Sequence, residues 1–196
     1  MASLKGLKGE KVHTRSIRIE TFSVDEGRVI VEGTLEDTRY HPIYTIAKQR
    51  REAGKVHGMV VRLLLGGMPT EILDAEAEMP TVPMEGCTQA TDSVRALIGL
   101  PIVYGFSKAV KDRLAGPAGC NHLTSLILTM GSAAVQGMAA HRGRAPAQPE
   151  AREVMLEYVK DSCCVWRSDG EHYRRTREEI ESVKKQGEPI CSKRKA

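Results

Sequence analysis

Aromatic residues are scarce: two Phe, five Tyr and one Trp make up 4% of the 196 residues. So few ring faces leave little platform for stacked bases, which argues against a single-strand nucleic-acid binder of the aromatic type. Uninterrupted apolar runs stop well short of the roughly 18 residues that a bilayer helix needs, so no membrane span is expected. The first fifteen residues lack the apolar stretch of a signal peptide, which makes the cytoplasm the expected compartment. There is no internal repeat, no low-complexity tract and no glycine-rich phosphate loop; Gly131 and Gly137 stand isolated inside a helical pattern. Cysteines number five, and an odd count in a reducing compartment reads as thiols or metal ligands before it reads as a disulfide framework.

What is present suffices for a folded domain. A composition of 41% hydrophobic and 28% charged residues fills a core and keeps a charged surface, which excludes global disorder. The net charge of +4 is uneven: residues 1–20 hold five Lys/Arg against two acids, and residues 142–196 hold thirteen against ten. The ends therefore carry +6 and the body −2, so no basic stripe marks the body as a nucleic-acid surface and no nucleic-acid partner is expected.

Periodicity divides the chain. Arg15 to Phe22 alternates Ile17 and Ile19 with polar residues, Asp25-Glu26-Gly27 turns, and Val29 to Leu35 returns: a hairpin. Asp37 to Lys55 is polar and rich in turn residues. Val56 to Leu65, Gly66-Gly67 and Thr70 to Met79 make a second hairpin, ended by Pro80 and Pro83. From Thr88 the period becomes helical: a short helix capped by Thr91 or Asp92, another from Ser107 to Leu114, and a long one with Asn121 as N-cap and an apolar stripe through Leu126, Met130 and Val135. Strands followed by helices predict an α+β fold, an antiparallel β-sheet of two hairpins covered on one face by helices. Its expected limits are residues 12–142. Beyond a linker at Arg142 to Pro149, residues 150–196 are expected to form a C-terminal helical appendage with a basic tail, too poor in apolar surface to fold alone and suited to a homodimer.

Metal-capable side chains fall at three junctions. His57 opens the third main strand, Cys87 stands where strands give way to helices, and Cys120 and His122 stand at the head of the long helix. In such a fold these junctions can gather at one end of the sheet, offering two thiolates and two imidazoles. That set suits zinc, with iron the alternative, and a helix N-terminus beside Cys120 favours its thiolate. The competing reading is that Cys87 and Cys120 are small buried hydrophobes and His57 a hydrogen-bonded surface residue. Asp37 and Arg39, at the end of the second strand, are candidate substrate-binding residues; Asp37 could equally orient a ligand histidine, and a strand-end ion pair is the commoner use of such residues. Glu76 and Glu78 share a face and could supply an acid or base, though solvated edge carboxylates are the commoner case; Cys163-Cys164 beside Trp166 could cover the site or add a ligand, with simple burial the competing reading, and Cys191 reads as a free thiol in the basic tail.

The succession Gly33 to Arg39, Val56-His57-Gly58-Met59, Cys87, Leu97-x-Gly99-Leu100 with Gly105-Phe106, and Gly119-Cys120-Asn121-His122-Leu123 resembles a bacterial family catalogued as domain of unknown function 2889. The resemblance runs from about Arg15 to Trp166. Where the family usually has His-Asp-Met, this chain has His57-Gly58-Met59. A weaker likeness links Gly86-Cys87 and Gly119-Cys120 to the iron–sulfur scaffold proteins, whose strand-then-helix order is similar. That likeness implies a shared fold, but the scaffold's additional cysteine is absent, with Lys55 and Val56 in its place.

Three functions follow as expectations: a small metalloenzyme of lyase or hydrolase type acting on a small organic substrate, a metal or iron–sulfur carrier, and a binding module with structural zinc. The first is preferred because Asp37 and Arg39 would give a mixed Cys/His pocket the polar neighbours a substrate needs.

Overall fold

The computed structural model describes residues 3–144 and 149–186, which belong to two compact units, one up to His141 and one from Arg142. In the first unit β1 (His13–Ser23) and β2 (Val29–Arg39) form the first hairpin. A small excursion, β3 (Ile43–Tyr44) and β4 (Arg50–Arg51), precedes the second hairpin of β5 (Gly54–Gly66) and β6 (Glu71–Thr81). The four long strands make one antiparallel sheet in the order β1-β2-β5-β6.

Strict alternation decides which face is covered. Val29, Val31 and Leu35 of β2 and Val61, Leu63 and Leu65 of β5 are fully buried on one face. On the other, Arg62 bridges Glu32 at 2.6 Å, Glu76 at 3.1 Å and Glu78, a cross-strand ion network in water. A 3-10 stretch (Cys87–Leu97), α1 (Phe106–Leu114) and α2 (Asn121–Arg142) supply the other side of the core, through Val94, Leu97, Phe106, Val110, Leu114, Leu123, Leu126, Ile127 and Met130. The α+β expectation is met, down to the covered single face.

Glycines set how close the long helix comes. A Cβ at Gly33 would lie 2.6 Å from Met130 Sδ and 3.1 Å from Leu126 Cδ1, so Gly33 is where α2 rests on β2. A Cβ at Gly137 would lie 2.1 Å from Thr21 Oγ1, on the β1 residue paired with Val31. The helix therefore runs antiparallel to β2. By length and composition α2 could cross a membrane. Its apolar residues are instead accounted for by the sheet, since Leu123, Leu126, Ile127, Met130, Ala134 and Met138 are all buried in this core.

Details depart from expectation where periodicity is short. The turn-rich stretch after Asp37 carries the last residues of β2 and the β3–β4 hairpin, whose two-residue strands leave no readable alternation. The helix expected from Thr91 begins earlier, as the 3-10 stretch from Cys87. In the second unit, α3 (Pro149–Val159) and α4 (Glu171–Gln186) are linked by Lys184 and Glu153 at 2.6 Å. Cys191 and the basic tail lie outside the described residues.

Candidate functional site

Strand register builds most of the site. Arg15 on β1 pairs with Asp37 on β2, and Asp37 pairs with His57 on β5, so the three form a rung across adjacent strands. All three have the parity of the buried residues Val31, Leu35, Met59 and Val61 and therefore point to the helix-covered face. A bulge follows directly, between Asp37 and Thr38, where such irregularities often re-aim side chains.

The helix supplies the fourth member. From Met130 back to His122 is a step of eight helical residues, about 12 Å at ~1.5 Å each. From Gly33 to Asp37 is a step of four strand residues, about 13 Å at ~3.3 Å each. With Met130 over Gly33 and the two elements antiparallel, His122 arrives over Asp37. Its Nε2 lies 3.9 Å from Asp37 Oδ2, and its ring sits 4.0 Å, centroid to centroid, from that of His57.

Asp37 is the hub. It is 2% exposed and receives two hydrogen bonds from one guanidinium, Arg15 Nε to Oδ1 and Arg15 Nη2 to Oδ2, both 2.7 Å. His57 Nδ1 lies 2.9 Å from Oδ2, and His13 Nε2 lies 3.4 Å from Oδ1. The Arg15 hydrogen bonds outweigh the effect of burial, and with help from His57 they hold the Asp37 carboxyl at a pKa of about 2, so it is ionised throughout the physiological range. His122 is pushed down from the ordinary histidine value, first by burial and then by its electrostatic interactions with His57 and Arg15, against the pull of Asp37. A neutral imidazole is the form that binds metals.

One donor atom from each of Asp37, His57 and His122 falls within 4.8 Å of the others. Two donors bound at ~2.0–2.1 Å to one ion in tetrahedral or octahedral geometry stand about 2.9–3.4 Å apart. The observed 2.9 Å from Asp37 Oδ2 to His57 Nδ1 and 3.9 Å to His122 Nε2 bracket that range, so small side-chain shifts suffice. Asp37 Oδ2 keeps a lone pair for Arg15 and offers another where it now meets His57. Two imidazoles and a carboxylate form a donor set suited to zinc or ferrous iron with coordination positions left open. Arg15 and His13 fix the carboxylate from behind, as outer partners of a metal ligand do.

The residues proposed from sequence are divided by the fold. His57 and His122 come together. Asp37, read as a substrate-binding residue or an orienting partner, lies between them, and Cys120 is adjacent, its Sγ 3.8 Å from His122 Nδ1. Cys87 is packed against the hydrophobic core and is not part of the group. Arg39 donates from Nη2 to the Glu52 carbonyl at 2.8 Å, tying the end of β2 to the β3–β4 excursion rather than to Asp37. Glu76 and Glu78 are on the opposite face with Arg62. Sequence reasoning missed Arg15 and His13. The signal was present: alternation with Ile17 and Ile19 puts both on the inward parity, where a charged side chain needs a partner.

Of the group, His122 also lines a cavity of about 400 Å³, together with Arg15, Lys111, Ala115, Asn121, Thr124, Ser125 and Leu128. Thr124 is turned inward, its Oγ1 donating to the carbonyls of Leu114 at 3.1 Å and Cys120 at 2.9 Å, which joins the end of α1 to the head of α2.

None of the curated proteins matches, and no solved structure does, so the likeness to iron–sulfur scaffolds finds no support there. The family model described as "Protein of unknown function (DUF2889)" matches residues 13–136, more than half of the chain, from the first residue of β1 into the last turns of α2. With the whole four-stranded sheet, most of the helical layer and every member of the Asp37 group inside that match, the chain belongs to the DUF2889 family.

Proposed function

We propose that the domain is a metal-dependent enzyme of hydrolase or lyase type, acting on a small organic substrate at the group formed by Asp37, His57 and His122. The observation that carries this reading is the convergence of two imidazoles and an ionised, buried carboxylate within 4.8 Å, with His122 also lining a cavity. Zinc is the preferred ion, since the reaction types need no redox change, and ferrous iron is the alternative. A bound ion of this kind supplies a Lewis acid and lowers the pKa of a water. The protein's part is to hold Asp37 ionised through Arg15, to keep His122 neutral by burial, and to leave room for substrate on the Lys111 side. An iron–sulfur carrier is less well supported, because cluster binding calls for several thiolates. Among the described residues Cys120 alone brings a thiol into contact with the group.

The test is metal analysis of full-length protein purified without chelator or metal-affinity resin. About one zinc or iron per chain is expected, lost in a His57→Ala, His122→Ala double variant and kept in Cys87→Ala. Chelator treatment should abolish hydrolysis of a simple activated ester, and the metal should restore it. Equal metal content in the double variant and the parent would overturn the proposal.

A further inference from the structure

The lining of the cavity beside the Asp37 group includes two cations, Arg15 and Lys111, and no carboxylate. Arg15 contributes a guanidinium whose Nε and Nη2 are spent on Asp37, leaving Nη1 unpaired among the described residues. The Lys111 ammonium, in the last turn of α1, has no hydrogen bond or ion pair among the described residues, in contrast to that of Lys108 on the same helix, which meets Asp112 at 2.6 Å. The charge balance of the lining is therefore uneven. Asp37 neutralises Arg15, and nothing in the lining neutralises Lys111. Asn121 and Ser125 add side chains able to donate hydrogen bonds, and they lie on the first turns of α2, whose positive end has the same sign.

Lys111 is exposed at the cavity, and a cation in a cleft that holds no counter-charge concentrates ions of the opposite sign. We propose that this cavity binds the anionic group of the substrate, a carboxylate or a phosphate, with Lys111 as the principal counter-charge and Ser125 and Asn121 as hydrogen-bond donors. The inference rests on the metal-dependent reading above and narrows it. The substrate is a small acid whose anionic end is held by Lys111 while the bond to be broken faces the Asp37, His57 and His122 group. Because His122 and Arg15 line the cavity and also contact Asp37, the anionic end and the reacting end would be separated by no more than a few bonds.

The experiment measures binding of inorganic phosphate and of malonate to the full-length, metal-loaded protein by calorimetry, with metal content determined on the same samples. Saturable one-to-one binding of at least one anion is expected. Lys111→Ala should weaken it by roughly tenfold, as loss of a facing charge in a partly enclosed site does. Lys108→Ala, which removes the same charge from the same helix, should leave it within about twofold. Metal content should be equal in all three proteins. A preference for phosphate assigns a phosphorylated substrate, and a preference for malonate assigns a carboxylic acid; either supports the proposal. Absence of saturable binding by metal-replete protein, or equal binding in Lys111→Ala and parent, overturns it. If the parent carries no metal yet binds an anion through Lys111, the anion site stands and the metalloenzyme reading falls.

Discussion

Asp37 is the residue on which the site depends, and its ionisation makes a pH prediction. Its folded pKa of about 2 lies below the ordinary carboxylate value of 3.8, so the group stabilises the fold above pH 3.8, and that contribution is lost as pH falls through about 2. The shift corresponds to roughly 2 kcal/mol. In the presence of chelator, the gap in unfolding free energy between the parent and Asp37→Asn should narrow by about that amount from pH 5 to pH 2, measured by urea titration. A constant gap would show that Arg15 gains nothing from the charge. Asp37→Asn should also lose the metal at neutral pH, because an amide oxygen is a poorer ligand and Arg15 is left without its counter-charge. Both histidines of the group could be picked from sequence, since each stands at a junction of elements. For the carboxylate the sequence leaves two roles open, substrate binding and orienting a ligand histidine, because its partners are fixed by strand register. Arg15, Asp37 and His57 are 22 and 20 residues apart in the chain and meet only when both pairings are in place. Cys87 follows the competing reading: a junction position attracts attention, and the side chain packs against the core as a small hydrophobe does.

Among the elements, α2 does most to position the chemistry, and its seat against α1 can be tested. A Cβ at Gly131 would lie 2.5 Å from Phe106 Cε1 and 2.9 Å from Cδ1. Phe106 begins α1 and is buried, so its ring has little freedom to retreat. Gly131→Ala brings a helix-propensity gain of about 1 kcal/mol against an overpacking cost of about 1–3 kcal/mol. The cost should win, lowering stability by about 1 kcal/mol in chemical denaturation. Adding Phe106→Leu should recover part of the loss, and a double-mutant cycle gives the coupling. Because Phe106 and Lys111 share α1, the single variant should also weaken anion binding in the cavity. The long elements were legible because their periods repeat several times: two hairpins with alternating Val, Ile and Leu, and a helix striped by Leu126, Met130 and Ala134. The β3–β4 hairpin and the 3-10 stretch were not, since two paired residues or tight turns give no repeat to read.

For the whole molecule, the two units make different claims on stability. The buried cluster of the first unit is drawn entirely from residues 29–138 and contains no member from the second. All residues of the Asp37 group and of the cavity fall within the same span of chain or just before it, at Arg15 and His13. A chain ending at Arg144 should therefore unfold in one cooperative transition and keep its metal, with the midpoint insensitive to loss of the rest apart from any change in assembly. The second unit has far less to hold it. Among its described residues the buried hydrophobic ones are Leu156 and Tyr173, and α4 is laced with exposed charge pairs such as Arg175 with Glu179 and Arg177 with Glu181. Such pairs add only about 0.3–0.5 kcal/mol each, too little to offset the ordering of two short helices. As an isolated peptide, residues 142–196 should show weak helical circular dichroism that melts without a sigmoidal transition. A cooperative melt of that peptide, or loss of metal from the chain ending at Arg144, would mean that the second unit carries structure or function of its own beyond α3 and α4.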